Sequence, residues 1–199
     1  GLLSGPAPLT VGSETALAAQ AIEDLGRADV PKRPVLLVVD YEPGQAAELN
    51  PAAEAFARHA LRLGLPVVAV STTPSSAGVA EQVIQRSAQT MSEAMSEING
   101  FAYKPYTNFV NLGYLPGGSV GVVEFANVPR KTFPSDFSGQ GNGLWDQPAL
   151  SSIHTLADFG ALLIVSGSPE GARAWLEQTA LFFPPERAIV IGASAGAGP

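Results

Sequence analysis

The stretch that decides the fold, residues 34–50, reads P-V-L-L-V-V-D-Y-E-P-G-Q-A-A-E-L-N. Its second to sixth residues, 35–39, are all apolar, and a Pro-Gly pair follows shortly afterwards. A short apolar run between turn residues is typical of a strand that is buried on both faces. Because helices must cover both faces of such a strand, the run predicts a mostly parallel sheet with Asp40, Tyr41 and Glu42 at its carboxyl edge.

Further strands and helices alternate on either side of this stretch. Strands are predicted at residues 66–71, 120–125, 161–166 and 188–192, and helices at 14–25, 51–63, 79–99, 148–157 and 169–181. This alternation predicts an α/β fold, a three-layer Rossmann-like or flavodoxin-like domain whose mostly parallel sheet has about five strands. The expected helix caps are Ser13, Asn50, Asp146 and Ser168, and the expected stops are Gly26, Gly64 and Gly100.

Residues 1–199 are predicted to form a single α/β domain, because a chain of this length with 46% apolar residues can fill one core. Residues 1–12 are an irregular lead-in and 193–199 a tail of small residues. Long loops are expected at 101–118 and 126–147, and loops of this length are usually functional or mobile. The first contains N-F-V-N-L-G-Y-L-P-G-G, which we expect to be a rigid loop near Asp40.

Composition excludes several classes of function. Acidic residues outnumber basic ones by 18 to 11, giving a net charge of −7 without a basic cluster, so nucleic acid is not an expected partner. The absence of cysteine excludes disulfides, thiolate metal sites and a cysteine nucleophile. No run approaches the roughly 20 apolar residues that span a bilayer, so membrane association is expected only through segments outside these 199 residues.

Three strand-to-helix turns are expected to meet at the carboxyl edge of the sheet, namely D-Y-E-P-G-Q, S-T-T-P-S-S and S-G-S-P-E-G. Helix starts that carry hydroxyl groups can hold a phosphate or a carboxylate, although ordinary caps and turns explain the same residues. The candidate ligand-binding residues are Asp40, Glu42, Ser71, Thr72, Asn111, Tyr114, Ser166 and Ser168. No G-x-G-x-x-G follows the first strand and no G-x-x-x-x-G-K-[ST] occurs, so no cofactor is predicted.

The carboxylates Asp40, Glu42, Glu48 and Asp136 could perform acid–base chemistry or bind a hard cation, but their spacing does not require it. Asp40 is the candidate catalytic residue, and its alternative role is to orient a loop. The histidines, His59 and His154, are interpreted as structural. Because there is no G-x-S-x-G and the imidazoles are not clustered, neither a serine nucleophile nor a transition-metal site is expected.

Three motifs in the same order are similar to those of a known protein family. They are L-V-V-D-Y-E-P-G-Q-A-A-E-L-N-P, N-F-V-N-L-G-Y-L-P-G-G and F-P-S-D-F-S-G. The chain resembles, over residues 16–192, an uncharacterised family of bacterial and archaeal membrane-anchored proteins with a soluble α/β domain. Family members often carry a Lys-Asp pair before the segment Tyr-Val-Asn-Leu-Gly-Tyr, whereas this chain has Thr107, Asn108 and Phe109 there. The resemblance implies an architecture and a location but no reaction.

Two functional hypotheses follow. The first is a non-catalytic extracytoplasmic domain for interaction or ligand sensing, part of a larger membrane-anchored protein, with residues 103–118 and 126–147 as its contact surface. Its partner would be a small molecule or a protein, and a cytoplasmic location is the alternative. The second hypothesis is a hydrolase or transferase that acts on a small anionic substrate near Asp40. Apolar segments of about 20 residues in the full-length gene would favour the first.

Overall fold

The computed structural model describes residues 19, 20, 22–24, 26, 27, 32–183 and 188–192. The strands are β1 (Val35–Asp40), β2 (Val67–Ser71), β3 (Phe109–Tyr114), β4 (Ala161–Ser166) and β5 (Ala188–Gly192). They form a parallel sheet in the order β3-β2-β1-β4-β5. This confirms the predicted α/β fold with five strands, and the order is the Rossmann-like one rather than the flavodoxin-like one.

Helices cover both faces of the sheet. They are α1 (Ala46–Arg62), α2 (Pro74–Asn99), α3 (Gly118–Asn127), the single turn α4 (Pro129–Thr132) and α5 (Pro169–Thr179). Alternate residues of β1 enter two separate apolar cores: Val35, Leu37 and Val39 pack with α1 and α2, whereas Leu36 and Val38 pack with α3 and α5. The three layers therefore follow directly from the apolar run in β1, which has no polar side.

The first predicted helix is only partly described. Residues 19, 20, 22–24, 26 and 27 are helical, so the helix continues past the expected stop at Gly26. The expected cap Ser13, the lead-in 1–12 and the tail 193–199 lie outside the described residues.

The predicted strand at 120–125 is wrong, because this segment is part of α3. Its buried residues Val122, Phe125 and Ala126 follow the spacing of a helix, although the neighbouring valines favour a strand by propensity. The third strand is β3, which lies inside the segment predicted as a loop. The sequence did not indicate a strand here because it contains Asn111 and Gly113, and both residue types are depleted in strands.

The predicted starts of two helices also differ from the structure. A 3-10 turn, Pro43–Gln45, leads into α1, so Asn50 is not a cap. The side chain of Asn50 instead accepts a hydrogen bond from the Tyr41 hydroxyl (2.9 Å). Similarly, α2 begins at Pro74 rather than at residue 79. It ends as predicted at Gly100, which has a φ of 71° in the left-handed region that glycine favours.

The predicted helix at 148–157 is replaced by turns and a 3-10 helix, Leu156–Asp158. Thr155 and Asp158 form a capping box that starts this short helix, so the chain turns just before β4. Asp146, the expected cap, ends another 3-10 helix, Leu144–Asp146. The predicted loop at 126–147 contains this helix and α4. Within the described part of the chain, no helix has the length and apolar character needed to cross a membrane.

Candidate functional site

Asp40 ends β1, and its side chain is buried, with 7% of its surface exposed. Its Oδ1 accepts a hydrogen bond from the backbone N–H of Thr72 (2.6 Å). Its Oδ2 accepts hydrogen bonds from the Thr72 hydroxyl (2.6 Å) and from Nε1 of Trp175 (3.0 Å). Because Thr72 follows β2 and Trp175 lies in α5, this one carboxyl group joins three elements at the carboxyl edge of the sheet.

The protonation of Asp40 depends on two opposing effects. Burial, the larger effect, raises the pKa of Asp40 above its ordinary value because the charged form loses hydration. The hydrogen bonds from Thr72 and Trp175 lower the pKa because they favour the carboxylate. A general base needs an oxygen that can reach a substrate proton. Here both oxygens already accept hydrogen bonds from the chain, so the geometry favours a structural role.

The crevice between β1 and β4 is where ligands bind in many sheets of this order. In this protein, side chains of the chain itself occupy it. The hydroxyl of Ser166 lies 2.8 Å from the carbonyl oxygen of Ser168 and 3.3 Å from that of Asp40. The Gln45 amide donates to the carbonyl oxygen of Gly167 (3.2 Å) and packs so closely that a Cβ on Gly167 would overlap it.

The other predicted residues of these turns also have local partners. As predicted, Ser168 caps α5, and its hydroxyl accepts the backbone N–H of Gly171 (3.2 Å). Glu42 forms a capping box with Gln45 and accepts a hydrogen bond from the Ser75 hydroxyl (2.6 Å). Ser71 differs from them, because its buried hydroxyl has no hydrogen-bond partner among the described residues.

Asn111 and Tyr114 lie in β3, and β2 separates that strand from β1 and Asp40. The segment is therefore a strand rather than a loop, and it lies one strand away from Asp40. The buried amide of Asn111 donates to the carbonyl oxygen of Ala77 (3.0 Å) and accepts the N–H of Gly113 (2.9 Å). These bonds hold an irregularity in the strand, where Gly113 has a φ of 95°. Tyr114, by contrast, is exposed.

Residues 134–140, which we call the strap, run along the outer edge of β3. The backbone N–H of Phe137 donates to the carbonyl oxygen of Asn111 (3.0 Å) and so covers part of this edge. Asp136 organises the strap, because its Oδ1 accepts the Ser138 hydroxyl and the N–H of Gln140 (both 2.8 Å). Its Oδ2 accepts the Tyr106 hydroxyl (2.8 Å), which ties the strap to the turn before β3.

Two cavities flank the strap. The first, which we call the edge cavity, measures about 220 Å³. Its polar lining residues are Glu81, Gln85, Tyr106, Asn111, Asp136 and Ser138, and its apolar ones are Ile84, Pro105, Phe109, Val110 and Phe137. The second, of about 360 Å³, lies between the start of α2, the end of β3 and residues 132–137. Asp40 lines neither cavity, whereas Asn111 lines the first and Tyr114 the second.

The eight predicted site residues therefore do not form one site. Asp40 and Thr72 are in contact, Ser166 lies beside them, and Asn111 and Tyr114 belong to the far edge of the sheet. Sequence reasoning missed Tyr106 and Glu81, which carry no motif. It also missed Trp175, although a fully buried indole N–H requires an acceptor and Asp40 is a suitable one.

Within the described ranges, no group of three or more His, Cys, Asp or Glu side chains is placed to hold a metal ion. Nδ1 of His59 lies 2.9 Å from Arg62 Nη2, and its Nε2 lies 3.6 Å from a carboxylate oxygen of Glu23. His154 is exposed, and its ring nitrogen Nδ1 lies 3.3 Å from the carbonyl oxygen of Ser152. Glu48 is exposed on α1.

Comparison of the chain with protein-family models, with curated proteins and with solved structures finds no match. The resemblance to membrane-anchored proteins therefore stays a prediction.

Proposed function

We propose that this chain is a non-catalytic, extracytoplasmic domain for interaction or ligand sensing, and that it belongs to a larger membrane-anchored protein. The membrane anchor would lie in segments outside these 199 residues. The contact surface would be formed by residues 101–147, which include β3, α3, α4 and the strap. We call this region the crossover face.

One observation carries the proposal: exposed apolar side chains concentrate in one stretch of the chain, residues 101–147. Eight large hydrophobic side chains are exposed among the described residues. Six of them belong to the crossover face, namely Phe101, Tyr114, Val120, Val123, Val128 and Phe137. The other two are Leu176 and Leu181. Scattered apolar side chains are normal on a surface, but their concentration in one region supports a contact role.

The alternative, a hydrolase or transferase acting at Asp40, has less support. The three hydrogen bonds to the Asp40 carboxylate come from within the chain, and Gln45 fills the space beside Gly167. An anionic substrate would also approach a chain with a net charge of −7. No described feature therefore favours this alternative over the first.

The location can be tested with a single cysteine, because the chain contains none of its own. Leu181 is 95% exposed and lies outside the crossover face, so a partner on that face would not shield it. In a full-length protein without other cysteines, Leu181→Cys should react with a membrane-impermeant maleimide in intact cells. Reaction only after the cells are lysed would contradict the extracytoplasmic location.

The contact role can be tested by the size of the full-length protein on native gels of detergent-solubilised membranes. Val120 is 76% exposed on α3, so Val120→Asp should not disturb the fold. We expect the wild type to migrate as a larger complex and Val120→Asp to abolish it, because a buried charge without a partner is costly. The matched control Leu181→Asp should keep the complex. Equal migration of all three proteins would contradict the proposal.

A further inference from the structure

The edge cavity combines an apolar floor with a polar rim. Ile84, Phe109 and Val110 are buried and form part of its lining, and the ring of Phe137, which is 46% exposed, stands at its side. A volume of about 220 Å³ is below the range of about 300–1,000 Å³ that is usual for sites of drug-sized ligands. The cavity therefore suits a single long side chain better than a whole cofactor.

The charged residues that line the edge cavity are all acidic. Glu81 and Asp136 are its charged residues, and none of the lining residues is basic. Their hydrogen-bond partners are neutral: Glu81 accepts the Gln85 amide (2.5 Å), and Asp136 accepts hydroxyl and backbone N–H groups. Among the ion pairs between described residues, none includes Glu81 or Asp136. Both negative charges therefore lack a basic counter-group.

Both carboxylates raise the pKa of Tyr106. The hydrogen bond with Ser138 has the largest single effect and lowers the pKa of Tyr106, yet the pKa is raised overall. The hydrogen bond to Asp136, burial, and the charges of Asp136 and Glu81 all act in the raising direction. The two carboxylates thus act on the same point of the cavity, beside an aromatic ring.

We propose that the edge cavity is the docking site for a basic side chain, lysine or arginine, of a protein partner. This inference rests on the proposed function, because it names the chemistry of the partner that the crossover face would bind. Charge complementarity selects the occupant, since the cation would supply the counter-charge that Glu81 and Asp136 lack. The methylene stem would lie on the apolar floor, and the rings of Tyr106 and Phe137 can add a cation–π contact.

The probe for this site is a capped hexapeptide, Gly-Leu-Arg-Leu-Arg-Gly, and its control replaces both arginines by citrulline, which has the same shape without the charge. Binding to the purified 199-residue chain is followed by the NMR shifts of backbone amides. The arginine peptide should shift the amides of Tyr106, Phe137 and Ser138, and salt should weaken its binding because exposed charges are screened. The affinity of the citrulline peptide should be lower by a factor of about five.

A matched pair of variants tests the role of the carboxylate. Glu81 and Glu93 both lie on α2, and each accepts a hydrogen bond from a glutamine four residues away, but Glu93 does not line the edge cavity. Glu81→Gln should weaken arginine-peptide binding about fivefold, and Glu93→Gln should leave it unchanged.

Three results would overturn the inference: no amide shifts at millimolar peptide, equal binding of the citrulline peptide, or equal effects of the two variants. Such a failure is separate from failure of the proposed function. Loss of the native-gel complex in Val120→Asp would still support a contact role with a partner of different chemistry. Conversely, peptide binding without any larger complex would support the cavity and contradict the wider role.

Discussion

At the scale of single residues, Asp40 shows how a carboxyl group at the edge of a sheet can serve the fold. Its partners Thr72 and Trp175 come from segments 32 and 135 residues away along the chain. Trp175 is fully buried, so its N–H has no access to water and depends on this acceptor. The residue that looks most catalytic in the sequence is therefore explained by hydrogen bonding.

We expect Asp40→Ala to lower the free energy of unfolding by about 1–3 kcal/mol at neutral pH, because buried donors lose their acceptor. Urea denaturation measures this. Trp175→Phe removes the indole donor and keeps an aromatic ring, so it serves as the second arm of a double-mutant cycle. A coupling energy near zero between the two substitutions would contradict a stabilising hydrogen bond between Trp175 and Asp40. If Asp40→Ala instead stabilises the protein, Asp40 is a functional residue that costs stability.

The pH dependence of stability should reveal the buried carboxyl group. Burial raises the folded-state pKa of Asp40, so between the unfolded and the folded pKa the folded protein binds more protons. The part of the stability that comes from protonation of Asp40 is therefore full below its unfolded pKa and is lost as the pH rises through its folded pKa. The hydrogen bonds from Thr72 and Trp175 remain when the carboxyl group is charged. Relative to Asp40→Asn, the wild type should lose stability over that window in urea titrations. A relative gain with rising pH would mean that the hydrogen bonds outweigh burial.

At the scale of elements, the apolar runs predicted the strands well and the irregular segments poorly. β1, β2, β4 and β5 carry little besides apolar residues, and their positions were predicted within one residue. β3 could not be read from its sequence, because tertiary bonds of Asn111 hold a strand that contains a glycine with positive φ. In α3 the error is the reverse: the valines favour a strand by propensity, so a strand was predicted where the packing requires a helix.

Gly121 in α3 offers a test of this packing. A Cβ at this position would overlap the carbonyl oxygen of Pro116, which belongs to the backbone and cannot move away alone. We expect Gly121→Ala to destabilise the fold by about 1–3 kcal/mol despite the better helix propensity of alanine. The matched control is Gly78→Ala in α2, where no atom lies within 4 Å of the new Cβ.

Gly78→Ala should stabilise the protein by about 0.5–1 kcal/mol, because alanine restricts the unfolded chain and favours a helix. Thermal melting of both variants gives the comparison. If both substitutions stabilise the protein to the same extent, then the close approach of α3 to Pro116 does not hold in solution.

At the scale of the whole molecule, the candidate site was the part that the sequence predicted least. The strand-end residues were correctly placed at the carboxyl edge, because parallel strands bring their ends together. What the sequence could not show is that their polar groups mostly bond to each other, or that β2 lies between Asp40 and β3. The edge cavity joins residues 81–85, 105–111 and 136–138, and only the folded chain brings these segments together.

The central claim is that the protein acts through the crossover face, and cysteine reactivity in native membranes tests it most directly. Val120→Cys and Leu181→Cys both place a thiol at a highly exposed position, one on the crossover face and one outside it. The maleimide reaction rate of each is compared between the isolated 199-residue chain and the full-length protein in its membrane. Position 120 should react more slowly in the full-length protein, since a tight contact excludes the reagent, while position 181 keeps its rate. Equal rates at position 120 in both settings would contradict the claim.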